Sequence, residues 1–97
     1  MVRTVYKILV YSAPASVTVE ANTTEILAES DTRMYASIVN DSDNVVYLAV
    51  GADAVMNKGI RLNANGGSFE MNRFNLCDQA VNGITLSPGN VTVQEAE

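Results

Sequence analysis

The sequence predicts an all-β fold: a single-domain antiparallel β-sandwich or Greek-key barrel with eight or nine short strands. Three observations carry that expectation. Short runs rich in Val, Ile, Thr and Tyr recur at intervals of about ten residues, separated by Gly, Pro, Asn, Asp and Ser. No stretch sustains a helical period, so parallel strands would lack the crossover helices they need, and antiparallel pairing follows. Ninety-seven residues make one domain, large enough to bury a thin core without covalent staples.

The elements follow in order. Val2 to Val10 alternates Val2, Thr4, Tyr6, Ile8 and Val10 with Arg3, Val5, Lys7 and Leu9, and Ser12-Ala13-Pro14-Ala15 ends it. Ser16 to Glu20 sets Val17 and Val19 on one face. Glu25 to Ala28 reads as a strand, although Thr23 would also cap a helical turn there. Met34-Tyr35-Ala36-Ser37-Ile38-Val39 and Val45-Val46-Tyr47-Leu48-Ala49-Val50 flank the polar knot Asn40-Asp41-Ser42-Asp43-Asn44. Rich in β-branched and aromatic residues, these runs predict a hairpin buried on both faces at the centre of the domain.

Gly51 to Gly59 predicts one helical turn, capped by Asp53 and ended by Gly59. Ile60-Arg61-Leu62 and Ser68-Phe69-Glu70-Met71 flank a turn containing Asn65-Gly66, whose residues accept the positive φ of a tight hairpin. Val81 to Leu86 and Val91 to Glu95 flank the Pro-Gly turn Ser87-Pro88-Gly89-Asn90.

The net charge of −5 disfavours a phosphate-backbone partner, and the six basic residues, Arg3, Lys7, Arg33, Lys58, Arg61 and Arg73, form no stripe. Nucleic acid is therefore not an expected partner. The single Cys77 excludes an internal disulfide and reads as a structural thiol of a reduced compartment. The apolar part of the N-terminus is too short and interrupted for a signal peptide or a membrane span, so no membrane association is expected. Asn22, Asn40 and Asn90 begin Asn-x-Ser/Thr triplets, which turn-rich β proteins contain by chance.

No residue constellation declares a catalytic chemistry, and a non-enzyme without cofactor or metal is expected. The chain has no histidine, which removes the commonest general base and the His-dependent triads and metal sites. The Gly-x-Ser-x-Gly elbow and the phosphate-cradling glycine motifs are absent. Glu25, Glu29, Glu70 and Asp78 are the carboxylates from which a glycosidase-like pair would be drawn, but each reads as surface charge. Asp41-Ser42-Asp43-Asn44 begins like a calcium loop, then places Val45 and Val46 where glycine and further oxygens are needed. A turn held by its own side chains is the better reading. Among the aromatics, Tyr35, Tyr47 and Phe69 are expected in the core, and Tyr11 and Phe74 beside turns as exposed contacts.

From Val17 onward the chain resembles small β-rich virion proteins of tailed bacteriophages. The segments that carry the resemblance are Val17-Thr18-Val19, Thr24 to Ala28, Arg33 with Ile38 to Ser42, Val46 to Gly51, Gly59 to Leu62, Gly67 to Glu70, Ile84 to Leu86 and Val91 to Glu95. The resemblance implies a structural virion component of the capsid decoration (cement) type, made in the host cytoplasm and seated on the outer capsid surface. Its implied partners are the major capsid protein and further copies of itself, a trimer ahead of a dimer.

The strand Val2 to Val10 departs from the resemblance, and residues 1–11 are a candidate arm that pairs with a neighbouring sheet edge or completes the domain's own sheet. The candidate capsid or subunit contacts are Val2, Val5, Tyr6, Ile8, Tyr11, Arg73 and Phe74. Two alternatives stand beside this one: a host-surface or glycan-binding module of a head fibre or tail tip, and a small carboxylate hydrolase.

Overall fold

The computed structural model describes residues 8–97. Its strands are β1 (Ala15–Val19), β2 (Thr24–Leu27), β3 (Tyr35–Asn40), β4 (Val46–Val50), β5 (Ile60–Leu62), β6 (Ser68–Met71), β7 (Val81–Thr85) and β8 (Gly89–Ala96). They form two antiparallel four-stranded sheets, ordered β1-β8-β3-β6 and β2-β7-β4-β5. The pairs β1·β8, β2·β7, β3·β6 and β4·β5 are those of one long hairpin folded at its midpoint. Wrapping that ribbon adds β3·β8 and β4·β7, which closes two Greek keys. This is the strand order of a jelly roll, a β-sandwich built from a wound hairpin.

That winding corrects the expected central hairpin. β3 and β4 lie in different sheets, so Asn40 to Asn44 is a corner between layers and not a hairpin turn. The same holds for β5 to β6 and for β7 to β8, and only β4 and β5 are sequence neighbours paired in one sheet. Neither β3 nor β4 is buried on both faces. Ala36, Ile38 and Asn40 alternate inward along β3, and Val46 and Leu48 do so along β4. Tyr35 and Tyr47 consequently point outward, whereas Phe69 packs against the core as expected.

The core lies between the sheets. Val19, Ile38, Val91 and Met71 of one layer meet Leu27, Val46, Leu48, Leu62 and Val81 of the other. Burying an aliphatic side chain of this size contributes about 1.5–3 kcal/mol. Cys77 is a free thiol packed at the edge of this cluster.

The 51–59 connection forms no helix, and its path corrects the expected Asp53 cap. It returns across the outer face of the second sheet: Asn82 Nδ2 donates to Ala52 O at 2.7 Å, and Ala54 N donates to Thr23 Oγ1 at 2.9 Å. Gly59 ends the loop at φ +88°, where a Cβ would stand 2.2 Å from Leu48 O. Glycine is required there both for the backbone angle and for the close approach.

Of the predicted first strand, Val2 to Lys7 lie outside the described residues, and Ile8 to Val10 adopt no strand. Val10 N donates to Glu97 O (2.7 Å), Glu97 N to Val10 O (3.0 Å) and Ser12 N to Glu95 O (2.9 Å). Residues 10–12 thus continue the β1 edge alongside β8, with Ala13-Pro14 breaking the line.

Candidate functional site

The jelly-roll winding gathers the loops at two ends, and one buried polar side chain ties each end together. At one end, Asn40 is fully buried at the last position of β3. Its amide nitrogen donates to Asn44 O (2.7 Å), Leu62 O (3.1 Å) and Asn63 O (3.2 Å). Its carbonyl accepts from Ser42 N (3.2 Å) and Ser42 Oγ (2.7 Å). The polar knot is therefore a turn fastened by its own side chains, welded to the β5–β6 turn. Asn44 Nδ2 adds a bond to Ser87 O at 3.1 Å, which brings in the β7–β8 connection.

At the other end Arg33 plays the same part with a charge. Its side chain is fully shielded from solvent. Nε donates to Glu95 Oε2 (2.8 Å), Nη1 to Cys77 O (3.0 Å) and Gln79 O (2.9 Å), and Nη2 to Ala28 O (2.7 Å). The planar guanidinium suits this task because its donors leave in fixed, divergent directions. One residue thereby binds the β2–β3 loop, the β6–β7 loop and the end of β8. Among the described residues every buried side-chain polar atom has a partner.

The outer face of the first sheet at the Arg33 end carries the candidate contacts. Tyr11 pairs with Ala96 on β8, and Ala96 in turn pairs with Tyr35 on β3. The two tyrosine rings meet over that alanine, with centroids 5.6 Å apart and planes tilted by 58°. Tyr35 OH donates to Glu70 Oε2 at 3.1 Å. Burial first, and then the hydrogen bond to Glu70, raises the Tyr35 phenol above its ordinary pKa.

Glu70 passes the connection on to the β6–β7 turn. Asn72 Nδ2 donates to Glu70 Oε1 (3.3 Å), and Asn75 Nδ2 donates to Glu70 O (2.9 Å). Asn72 and Asn75 also staple the turn itself: Phe74 N donates to Asn72 Oδ1 (2.9 Å) and Asn72 N to Asn75 Oδ1 (2.7 Å). The turn holds Phe74 out into solvent, 83% exposed, with the Arg73 guanidinium 4.8 Å from its ring centroid.

The structure thus joins three of the sequence-predicted contacts, Tyr11, Arg73 and Phe74, into one strip through Tyr35 and Glu70. Ile8 and Val10 are 83% and 68% exposed where the chain enters this end. Val2, Val5 and Tyr6 lie outside the described residues. Sequence reasoning assigned Tyr35 to the core and Glu70 to general surface charge. The signal that would have placed both is the period-two pairing that sets Ser37 and Glu70 on the outward row beside Tyr35.

A cleft of about 240 Å³ opens beside the strip, lined by Val10, Tyr11, Ser30, Arg33, Glu95 and Glu97 among others. Thr32 donates to Glu97 at its rim, and the Arg33 donors facing it are already engaged. Among the described residues no three His, Cys, Asp or Glu side chains converge as metal ligands would, and no helix is long and apolar enough to cross a membrane. No known protein family, characterised protein or solved structure matches this chain.

Proposed function

We propose that this chain is a structural virion protein that binds a bacteriophage capsid shell as a decoration protein, using the Tyr11–Tyr35–Glu70–Phe74 end as its contact surface. The observation that carries the proposal is the joining of Tyr11 to the Phe74 turn on one pre-formed strip, next to the exposed Ile8 and Val10. Interfaces take most of their energy from a few aromatic and arginine anchors, and Phe74, Tyr11 and Arg73 are of those types. The strip crosses the outer face of a paired sheet and ends on a turn stapled by Asn72 and Asn75, so little ordering is needed on docking. Many copies on one shell would add weak contacts into a strong clamp. The major capsid protein is the partner in this proposal, with a homo-oligomer as the docking unit.

The test is co-sedimentation with capsids stripped of the protein. Full-length chain should pellet with the shells, and a truncation lacking residues 1–10 should stay in the supernatant while melting at a similar temperature. Undiminished binding of the truncation would remove the arm from the account.

A second reading, a glycan-binding module, draws on the solvent-facing Phe74 ring. Against it, Asn72, Asn75 and Glu70 already direct their polar atoms into the turn, which leaves few side-chain groups there to read sugar hydroxyls. A glycan array separates the two readings.

A further inference from the structure

The chain contains two Asn-Gly pairs, Asn65-Gly66 and Asn82-Gly83, in opposite structural settings. We infer that Asn65 is a site of spontaneous deamidation whose product opens the clasp at the Asn40 end, while Asn82 is protected by its strand. The chemistry needs no enzyme. The Gly66 amide nitrogen gives up its proton to solvent base and attacks Asn65 Cγ. The new N–C bond closes a succinimide, and ammonia leaves with the side-chain nitrogen. Water then opens the ring at one of its two carbonyls, leaving aspartate or isoaspartate.

The step requires glycine's freedom on the C-terminal side and a backbone able to leave its native angles. Asn65-Gly66 meets both conditions. The pair lies on the exposed β5–β6 turn, with Asn65 at φ +58° and Gly66 at φ +122°, and nothing lies within 4 Å of where a Gly66 Cβ would be. Four backbone bonds hold the turn: Asn65 N to Ser42 O (2.8 Å), Gly66 N to Asn40 O (2.8 Å), Gly67 N to Asn63 O (3.0 Å) and, at its base, Asn40 N to Gly67 O (2.7 Å). The three donated by Asn65, Gly66 and Gly67 lie beyond the last β3·β6 pair, Val39 with Ser68, so they break in a local opening that leaves both sheets paired. Asn82-Gly83 differs on every count. Gly83 is buried in β7, paired with Thr24 on one side and Leu48 on the other, and Asn82 Nδ2 donates to Ala52 O at 2.7 Å. Freeing that amide requires unfolding the second sheet.

The product matters because of what faces Asn65. Asp43 Oδ1 and Ser42 O are both acceptors, which assigns the Asn65 amide with its nitrogen toward them, at 3.0 and 3.3 Å. A carboxylate in its place sets negative charge against Asp43 and offers no proton to Ser42 O. Isoaspartate also lengthens the main chain by one carbon between Asn65 and Gly66, which pulls Gly66 N off Asn40 O.

Incubation of the intact, folded chain at mildly alkaline pH, followed by trypsin and peptide mass spectrometry, tests this. Cleavage after Arg61 and Arg73 puts the two pairs in separate peptides, and fragmentation assigns the mass gain to a residue. Asn65 should convert at least roughly tenfold faster than Asn82, whereas the urea-unfolded chain should convert both at similar rates. Equal rates in the folded chain, or an Asn65 that stays intact while the unfolded control converts, overturn the inference. Asn65→Asp should also lower the urea midpoint, and an unchanged midpoint overturns its structural half.

Discussion

Arg33 Nε donates to Glu95 Oε2 at 2.8 Å, and this is the only ion pair among the described residues. It matters because the other guanidinium nitrogens reach the carbonyls of Ala28, Cys77 and Gln79. The last strand and the β2–β3 and β6–β7 loops are thereby held by a single buried side chain, and the Phe74 turn belongs to the second of those loops.

Arg33→Leu should lower stability by about 3–5 kcal/mol, since a carboxylate and three carbonyls lose their donors together. Arg33→Lys should recover only a minor part, because an ammonium lacks the fork that reaches four acceptors in divergent directions. Urea denaturation reads both. An Arg33→Leu protein within about 1 kcal/mol of the native chain would show that the clamp is not structural.

Asn40→Asp should destabilise by roughly 3 kcal/mol at neutral pH, because a carboxylate would face three carbonyl oxygens with nothing to donate. The introduced group should have a raised pKa in the folded state. Its neutral form is then the compatible one, so the variant's deficit is smallest below the ordinary carboxylate pKa of about 3.9 and grows as pH rises through the folded value. Urea midpoints of variant and native chain measured across pH would show the difference narrowing on acidification.

Tyr35 supplies a pH prediction of its own. Its pKa is raised above 10.0 by burial and then by Glu70, so folding favours the neutral phenol. That contribution is fully present below the unfolded-state value and is lost as pH rises through the folded value. Glu70→Gln should move the Tyr35 titration down toward the ordinary value, as read by phenolate absorbance against a Tyr35→Phe reference. An unmoved titration would break the link between Tyr35 and the Phe74 turn.

Phe74→Ala should leave stability within about 0.5 kcal/mol of native, since the ring is exposed. Shell binding, by contrast, should weaken by about 2 kcal/mol or more, roughly thirtyfold, if the ring anchors the interface. Tyr11→Ala should weaken binding in the same direction. Co-sedimentation alongside thermal melting separates the two effects.

The strands were legible in the sequence because β-branched runs and turn residues are local signals. Val46 to Val50, Ile60 to Leu62 and Ser68 to Met71 fall where the pattern puts them. Their partners were not legible. Asn65-Gly66 specifies a backbone reversal, and its positive φ angles are present, but a reversal serves a hairpin and a crossing between layers equally well. Which one forms depends on β3 pairing with β8, a contact between residues far apart in the chain.

The candidate site was half legible for the same reason. Tyr11 and Phe74 could be picked as exposed because they neighbour Pro14 and the Asn-rich turn. Tyr35 sits in a run that is apolar on both faces, Tyr-Ala-Ser-Ile-Val, so nothing local says which face looks out. Arg33 carried no local signal of burial either. Its partners come from three segments that are distant from one another in the sequence, two of them carbonyl-lined loops that only the wound sheets bring together.

The measurement that tests the decoration role most directly is the number of copies of this chain per virion, by quantitative mass spectrometry against the major capsid protein. A decoration protein should be present in hundreds of copies, in a fixed ratio to the shell subunit. A handful of copies per particle, or none, would contradict it.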